Sequence, residues 1–492
     1  MSRPRLCVTL PARTVEGARA GIAAARRDGA DLVEIRFDRW SEAERARAGE
    51  LFPAGLPLVA TFRSVAEGGE GSVDPTQRHE FLERLAHLPF LAIDREVARD
   101  ASPTAARASS SVGSRHLATP VDWTTFPELA RRGHAPGEIG KIVAPATVGE
   151  FLHHLLPGPG PVVPDRGIIH STGPSGPLSR VWASALGSTW VFAAPGPHDP
   201  NPGAPVEPSQ LPVDRLATVL GTDPPGPLYG VLGHPVAHSG SPGLHHAWMR
   251  AEGLPGAYLA IDVETEREFR DLLDRMGAGG FRGLNVTYPW KTLALAVASQ
   301  AEPAAVQAGA ANCLTWNGQG WAGALTDVEA LERRLTELRR ARIWNGSEIT
   351  VLGSGGAARA TLVAARHLGA SARVRARRPG AVDELRHRFP ETVVGPAREA
   401  GSLVVHATSA QRTPDNLTLA FPIDDLLSEA THVIDLVYAP IAPTLAETVD
   451  RAGASYEDGR RVLRYQAEES YRRWQGHLPP ASEEPAPPEG SR

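Results

Sequence analysis

Through roughly the first 195 residues, short β-branched or apolar runs recur at near-even spacing, with helical patterns between them. They read RLCVTL (5–10), LVEIRFD (32–38), PLVATFRS (57–64), FLAIDREV (90–97), SVGSRHL (111–117), IGKIVA (139–144), RGIIHST (166–172) and TWVFAAP (189–195). Eight such strands with helical connections suggest a closed barrel. The pattern therefore predicts an α/β protein that begins with a (β/α)8 barrel over residues 1–220.

A break follows. The stretch GTDPPGPLYG (221–230) is dense in proline and glycine, and reads as a linker over 221–227. A new βα series comes next (YGVLGHP, AYLAIDVE, FRGLNVTYP), then a strand–glycine–helix unit at 349–368. The Pro/Glu-rich end, 479–492, reads as a disordered tail.

Composition removes several classes of function. With 51 basic and 56 acidic residues the net charge is −5, and no basic stripe invites nucleic acid. Cys7 and Cys313 stand far apart, with no CxxC pair for zinc, so no metal is expected. The N-terminus lacks the apolar core of a signal peptide, and no run approaches the ~20 apolar residues of a membrane span. A cytoplasmic protein acting on small molecules is the expectation. One count is more telling: all but two of the 51 basic residues are arginine, the exceptions being Lys141 and Lys291. Arginine replaces lysine as a surface charge, but it does not readily lose a proton or form an imine. Both lysines are therefore candidates for amine chemistry.

In a barrel of this type ligands lie at the C-terminal ends of the strands. Glu34 and Arg36 close the second run, Arg63 the third with Glu67 just after it, and His116 the fifth. Lys141 lies in the sixth, and Arg180 follows the seventh. A lysine amid apolar neighbours should favour the neutral amine, and a histidine titrating near ~6.5 can move protons at neutral pH. Lysine with histidine suggests imine chemistry on a ketone, and the arginines suggest a carboxylate on it. Glu34 and Arg36 alone would equally suit a structural ion pair.

Across nearly all of residues 1–215, the segments LVEIRFD, TFRSVAEGGE, SRHLATP, GKIVAPA and GPLSRVWASALGS resemble type I 3-dehydroquinate dehydratase in the family's order. The resemblance implies Lys141 as Schiff-base former and His116 as proton carrier. It implies Glu34, Arg36, Arg63 and Glu67 as a polar wall, Arg180 on the substrate carboxylate, and Gln210 in a closing loop. Leu117 stands where the family usually has Asp, and Val206 about where a serine falls.

The segment ITVLGSGGAARA (349–360) is a strand running into a glycine turn and a helix. Gly353 and Gly355 permit the tight turn and close approach of a pyrophosphate, and Ala358 permits tight helix packing. The next strand, RVRARRP, ends on Arg377 and Arg378 with no acid for a ribose 2′-hydroxyl, which favours NADP over NAD. Those arginines would also suit a solvated face. Lys291 ends FRGLNVTYPWK and Asp327 ends GALTD, a pair able to handle the proton when a carbonyl becomes an alcohol.

Residues 227–476 resemble shikimate dehydrogenase through HSGSP, NVTYPWK, GAANCL, LTD, GSGGAAR, DLVYAP and DGRRVLRYQ. That resemblance implies substrate binding by Ser239, Ser241, Asn285, Thr287, Asn312, Tyr438 and Gln466, with Lys291 and Asp327 as the proton-transfer pair. It implies NADP binding by Gly353, Ser354, Gly355, Gly356, Ala357, Arg377, Arg378, Thr408 and Gly459. Leu325, Ala376, Arg378 and His406 depart from the residues usual at their positions. The expected architecture is thus a barrel followed by a two-domain dehydrogenase. Its α/β substrate domain would span 228–340, completed by 455–478, and its Rossmann NADP-binding domain 341–454. The implied function is dehydration of 3-dehydroquinate, then reduction of the product to shikimate with NADPH. The rivals are a quinate/shikimate dehydrogenase with an impaired dehydratase half, and a non-catalytic sensor of quinate-type ligands. A sensor should have lost the lysines or the glycine turn, and this chain keeps both.

Overall fold

A computed structural model describes residues 3–71, 74–100, 110–119, 138–155, 167–200, 205–223, 225–378, 380–396, 403–408, 430–438 and 443–481. Most of the tail read as disordered (482–492), residue 224 of the linker and the start of the loop before Gln210 (201–204) lie outside them. The chain forms two compact units, Met1–Leu228 with Pro255–Arg275, and Tyr229–Leu254 with Met276–Arg492.

In the first unit each of the eight runs is a strand: β1 (Arg5–Leu10), β2 (Leu32–Arg36), β3 (Leu58–Thr61), β4 (Ala92–Glu96), β5 (Ser110–His116), β6 (Ile139–Pro145), β7 (Gly167–Thr172) and β8 (Trp190–Ala193). They lie in the order β7-β6-β5-β4-β3-β2-β1-β8, and every ladder among them is parallel. Between β7 and β8 a bridge joins Gly167 to Ser188, and the Thr189 N–H donates to the Gly167 carbonyl at 2.8 Å. The result is a nearly closed barrel.

Its interior is built in layers. One residue from each strand (Cys7, Leu32, Val59, Ala92, Val112, Ile139, Ile168 and Trp190) forms an apolar plug, fully or almost fully buried. Side chains alternate across a strand, so residues two further along point the same way. Those residues are Thr9, Glu34, Thr61, Asp94, Ser114, Lys141, His170 and Phe192. A polar ring thus rests directly on the plug. The plug can hold it there because truncating one large plug side chain costs ~2–5 kcal/mol. The first unit also contains β10 (Ala257–Asp262) and Glu268 of the following helix, whose Oε1 accepts the Gly149 N–H at 3.0 Å.

The second unit contains two sheets. In the first, β9 (Leu228–Gly233), β11 (Phe281–Val286), β13 (Cys313–Trp316), β14 (Trp321–Ala324) and β12 (Gln300–Ala301) lie side by side in that order. Strands β11, β13 and β14 pair antiparallel. The second sheet is wholly parallel: β15 (Glu348–Leu352), β16 (Ser371–Arg375), β17 (Val393–Pro396), β18 (Leu403–His406), β19 (His432–Asp435) and β20 (Ser455–Glu457), ordered β17-β16-β15-β18-β19-β20. The strand order reverses between β15 and β18, the place where doubly wound sheets open a crevice for ligand. The last helix, Arg460–Gln475, packs on the helix Thr326–Arg340 and on β11. Among the described residues no helix is long and apolar enough to cross a membrane.

Candidate active sites

A polar ring inside a barrel is costly unless its members satisfy one another. Here most do. Glu34 accepts from Thr9 Oγ1 at 2.8 Å and from Thr61 Oγ1 at 2.7 Å. Asp94 accepts from the Ser114 hydroxyl, from Arg63 Nη2 at 2.9 Å and from Lys141 Nζ at 3.0 Å. Lys141 Nζ also lies 3.8 Å from Glu34 and 4.0 Å from the centre of the Phe192 ring, a cation–π distance. The apolar surroundings expected for this amine are therefore not what it meets. Its sequence neighbours face outward, and the inward lysine finds two carboxylates and a ring face.

Above the ring, Arg63 Nη1 donates to Glu67 Oε2 at 3.2 Å. The same oxygen accepts the His116 backbone N–H at 3.0 Å and faces His116 Nδ1 at 3.3 Å. Burial pushes Glu67 up to about 7, against the pull of Arg63. Burial, then the cations of Arg63, Lys141 and Arg36, holds His116 well below its usual range, although 22% of its side chain is exposed. An ordinary histidine titration was expected there, and burial, reinforced by the surrounding cations, is the physical reason for the difference. Burial alone would raise Asp94, but Arg63 and Lys141 outweigh it and hold the carboxyl at about 2.

Glu34, Arg63, Glu67, His116 and Lys141 line one cavity of about 270 Å³. Arg180 lines it too, but its Nη2 donates to Glu207 Oε2 at 2.6 Å, and Glu207 also accepts from the Ser209 hydroxyl. The arginine expected to meet a substrate carboxylate thus holds a carboxylate of the closing loop. Arg36 similarly grips Asp38 through two hydrogen bonds, at 2.8 and 2.7 Å. Gln210 Nε2 reaches Thr9 Oγ1 at 3.3 Å. Leu117 and Val206 also line the cavity. Sequence reasoning missed Asp94, Glu207 and His170. The signal available for Asp94 and His170 was the spacing of two from an apolar run position, as for Glu34 after Leu32.

The second cavity, about 470 Å³, lies within the second unit. Lys291 opens the helix Lys291–Val297, and its Nζ donates to Asp327 Oδ2 at 2.5 Å. Asp327 Oδ1 accepts from Asn312 Nδ2 at 2.9 Å, and Asn312 Oδ1 accepts the Thr326 N–H at 2.6 Å. Gln466 Oε1 lies 3.4 Å from Asn312 Nδ2, and Asn285 Nδ2 donates to Ser470 Oγ at 2.8 Å. The last helix therefore delivers Gln466 and Ser470 to a network begun on β11, β13 and the helix Thr326–Arg340. Ser239 accepts the Ser241 N–H at 3.3 Å, and both line the cavity with Thr287 and Tyr438.

At the switch point, Gly353 adopts φ +125°, and a Cβ there would lie 2.6 Å from the Ala407 carbonyl. Only glycine can make this turn beside β18. A Cβ on Gly355 would meet nothing within 4 Å, which leaves room for a ligand over the turn. The helix Gly356–His367 starts with no side-chain cap, so its first N–H groups face the crevice, a setting suited to pyrophosphate. Ser354, Gly356, Ala357 and Gly459 line the same space. Thr408 Oγ1 sits 2.7 Å from His406 Nε2, and His406 Nδ1 2.8 Å from Asp435. Arg377 and Arg378 reach the cavity wall, but Arg378 grips Glu384, a pairing not anticipated from sequence.

Comparison with known proteins places these sites in context. Residues 6–224 match the family model for type I 3-dehydroquinase, and residues 231–314 match that for the shikimate dehydrogenase substrate binding domain. A shikimate dehydrogenase (NADP(+)) of Xanthomonas euvesicatoria pv. vesicatoria is 37% identical over 261 residues, which is 51% of this chain and 91% of the relative. One of Anaeromyxobacter dehalogenans is 35% identical over 265 residues, 52% of this chain and 93% of its own. A solved dehydroquinate dehydratase and shikimate dehydrogenase from S. pombe aligns over 98% of this chain and 97% of its own at 20% identity. Its TM-score of 0.42 is too loose a superposition to bear on either site.

Proposed function

From the chain's membership of the shikimate dehydrogenase family over its second half, joined to a type I 3-dehydroquinase domain at residues 6–224, we infer a bifunctional shikimate-pathway enzyme. Its barrel dehydrates 3-dehydroquinate to 3-dehydroshikimate, and its second unit reduces that product to shikimate with NADPH. The observation that carries this reading is the placement of the only two lysines, each in its own cavity beside a carboxylate. Cys7 and Cys313 are both free and buried, which suits a cytoplasmic setting.

In the barrel, the Lys141 amine attacks the ketone carbon and the ketone oxygen leaves as water, giving an iminium. That group draws electrons from the adjacent C–H bond. His116, with Nδ1 turned to Glu67, takes the proton at Nε2. The freed pair forms an enamine, then returns to expel the neighbouring hydroxyl as water, with His116 giving the proton back. A further water cleaves the imine and frees Lys141. Asp94 and Glu34 hold Nζ in place, and Arg36 and Arg63 complete the polar wall. The substrate carboxylate takes the position of Glu207 on Arg180, with Gln210 carried by the same loop.

In the second unit the groups present fit NADP: a glycine turn that a Cβ would block at Gly353, an uncapped helix start, and arginines where a 2′-phosphate would lie. When bound, this cofactor supplies the hydride. Ser354, Gly355, Gly356 and Ala357 would cradle its phosphates, Arg377 and Arg378 would hold the 2′-phosphate, and Thr408 and Gly459 would shape the wall. Lys291 holds the proton that the substrate oxygen receives, and Asp327 fixes Nζ. Ser239 and Ser241 take the carboxylate, while Asn285, Thr287, Asn312, Tyr438 and Gln466 take ring oxygens.

The test is NADPH oxidation by the purified chain given 3-dehydroquinate alone, repeated from 3-dehydroshikimate. Consumption from both is expected. Consumption from 3-dehydroshikimate only would reject the barrel half of the reading, and none from either would reject all of it.

A further inference from the structure

One member of the barrel's polar ring stands apart. Thr9, Glu34, Thr61, Asp94, Ser114 and Lys141 are hydrogen-bonded within the ring, and Phe192 needs no partner. His170, on β7, is 1% exposed and lines the cavity, yet among the described residues neither ring nitrogen has a side-chain partner or a well-formed hydrogen bond, and only the Trp190 backbone comes close enough to act on it. Its ring meets the edge of Phe192 at 5.8 Å, the same ring that lies under Lys141 Nζ.

Strand register locates it further. His170 pairs with Val143 on one side of β6, and His116 pairs with Val143 on the other. Val143 is two residues beyond Lys141, on the same inward face. Two imidazoles therefore flank the lysine column symmetrically, about one strand spacing (~4.8 Å) to each side. His116 has Glu67 as its orienting partner. His170 has none. Burial, then the cations of Arg180 and Lys141, outweighs the opposing pull of the Trp190 backbone and holds it well below its usual range, so it stays neutral, with one nitrogen an N–H donor and the other an acceptor.

A buried nitrogen left without a full partner is destabilising, and a leucine of similar size would avoid that loss. A neutral imidazole is complementary to an alcohol, which also gives one hydrogen bond and accepts another. We propose that His170 is a substrate-contacting residue of the dehydratase site, hydrogen-bonded to a ring hydroxyl of the polyhydroxy keto-acid tethered on Lys141. This rests on the dehydratase reading above. Methylene or hydrogen in place of that hydroxyl would leave the imidazole unsatisfied in the complex, so His170 also selects hydroxylated rings.

The experiment compares wild type with His170→Leu and His170→Asn, following formation of the conjugated product from 3-dehydroquinate. Leucine should raise KM about tenfold with kcat within about threefold, and asparagine, which keeps a donor and an acceptor, should restore much of the loss. The Tm of the leucine variant should hold or rise, and its reduction of 3-dehydroshikimate should be unchanged, which shows that the chain is folded. An unchanged KM in an active leucine variant would overturn the proposal, as would a lowered Tm with KM intact, the mark of a structural role. Absence of dehydration in wild type would instead overturn the dehydratase reading itself.

Discussion

A single carboxyl sets the pH behaviour expected of the barrel. Glu67, raised by burial to about 7, is the acceptor that faces His116 Nδ1. On the proposed mechanism the ionised carboxylate keeps Nε2 available as base. Lowering the pH through about 7 protonates Glu67, removes that acceptor and slows dehydration. The dehydratase kcat/KM should therefore rise with pH along a limb centred near 7 and level off above it. In Glu67→Gln the plateau should fall about tenfold or more and the limb should vanish. A limb that survives the substitution would place the titration elsewhere. Lys141 and His116 were legible in the sequence because lysine is so scarce and the surrounding segments keep a family order. Asp94 was not, because inside FLAIDREV it reads as an ordinary solvent-side residue. The spacing of two from Ala92 marks it as inward, but its meeting with Lys141 two strands away follows from the closure of the barrel. The grip of Glu207 on Arg180 joins residues 27 apart through a loop, and no periodicity announces such a contact.

Among elements, the strands were the most legible, since most barrel runs have a β-branched or apolar core bounded by polar loops, the fifth (SVGSRHL) being the weakest of them. The seating of the last helix was less so. A Cβ on Gly283 of β11 would lie 2.2 Å from the Trp474 ring, so the indole of that helix rests directly on bare backbone. Two residues on, Asn285 donates to Ser470 of the same helix. Gly283→Ala should lift the helix, costing ~1–3 kcal/mol and a corresponding drop in Tm. Because Gln466 rides on this helix, KM for 3-dehydroshikimate should rise in the same variant. Unaltered Tm and KM would mean that the helix is seated by its other contacts alone. In the sequence Gly283 looks like any strand glycine, and nothing within β11 names a partner some 190 residues away.

For the whole molecule, the two chemistries should separate cleanly, because the proposed mechanism ties one lysine to imine formation and the other to holding a proton. Borohydride added with 3-dehydroquinate should reduce the Lys141 imine to a stable secondary amine. Dehydration would then be lost, with one substrate-derived adduct per chain on the peptide containing Lys141. NADPH oxidation from 3-dehydroshikimate should survive the treatment. An adduct on Lys291, or loss of both activities together, would contradict the assignment. The two-enzyme reading was available from sequence at this scale, since the motifs of each half run in order along it. The grouping of 255–275 with the first unit was not, as it depends on packing that no local pattern encodes.

The confinement of both lysines to cavities has a spectroscopic consequence. Lys141 is 3% exposed, and only 17% of the Lys291 side chain is. Cells grown on isotope-enriched lysine would yield a protein with two labelled side chains, one in each reaction chamber and none on the surface. A magnetic resonance spectrum of that sample would contain a pair of lysine signals, so imine formation and cofactor binding could each be followed on a separate, unobscured line.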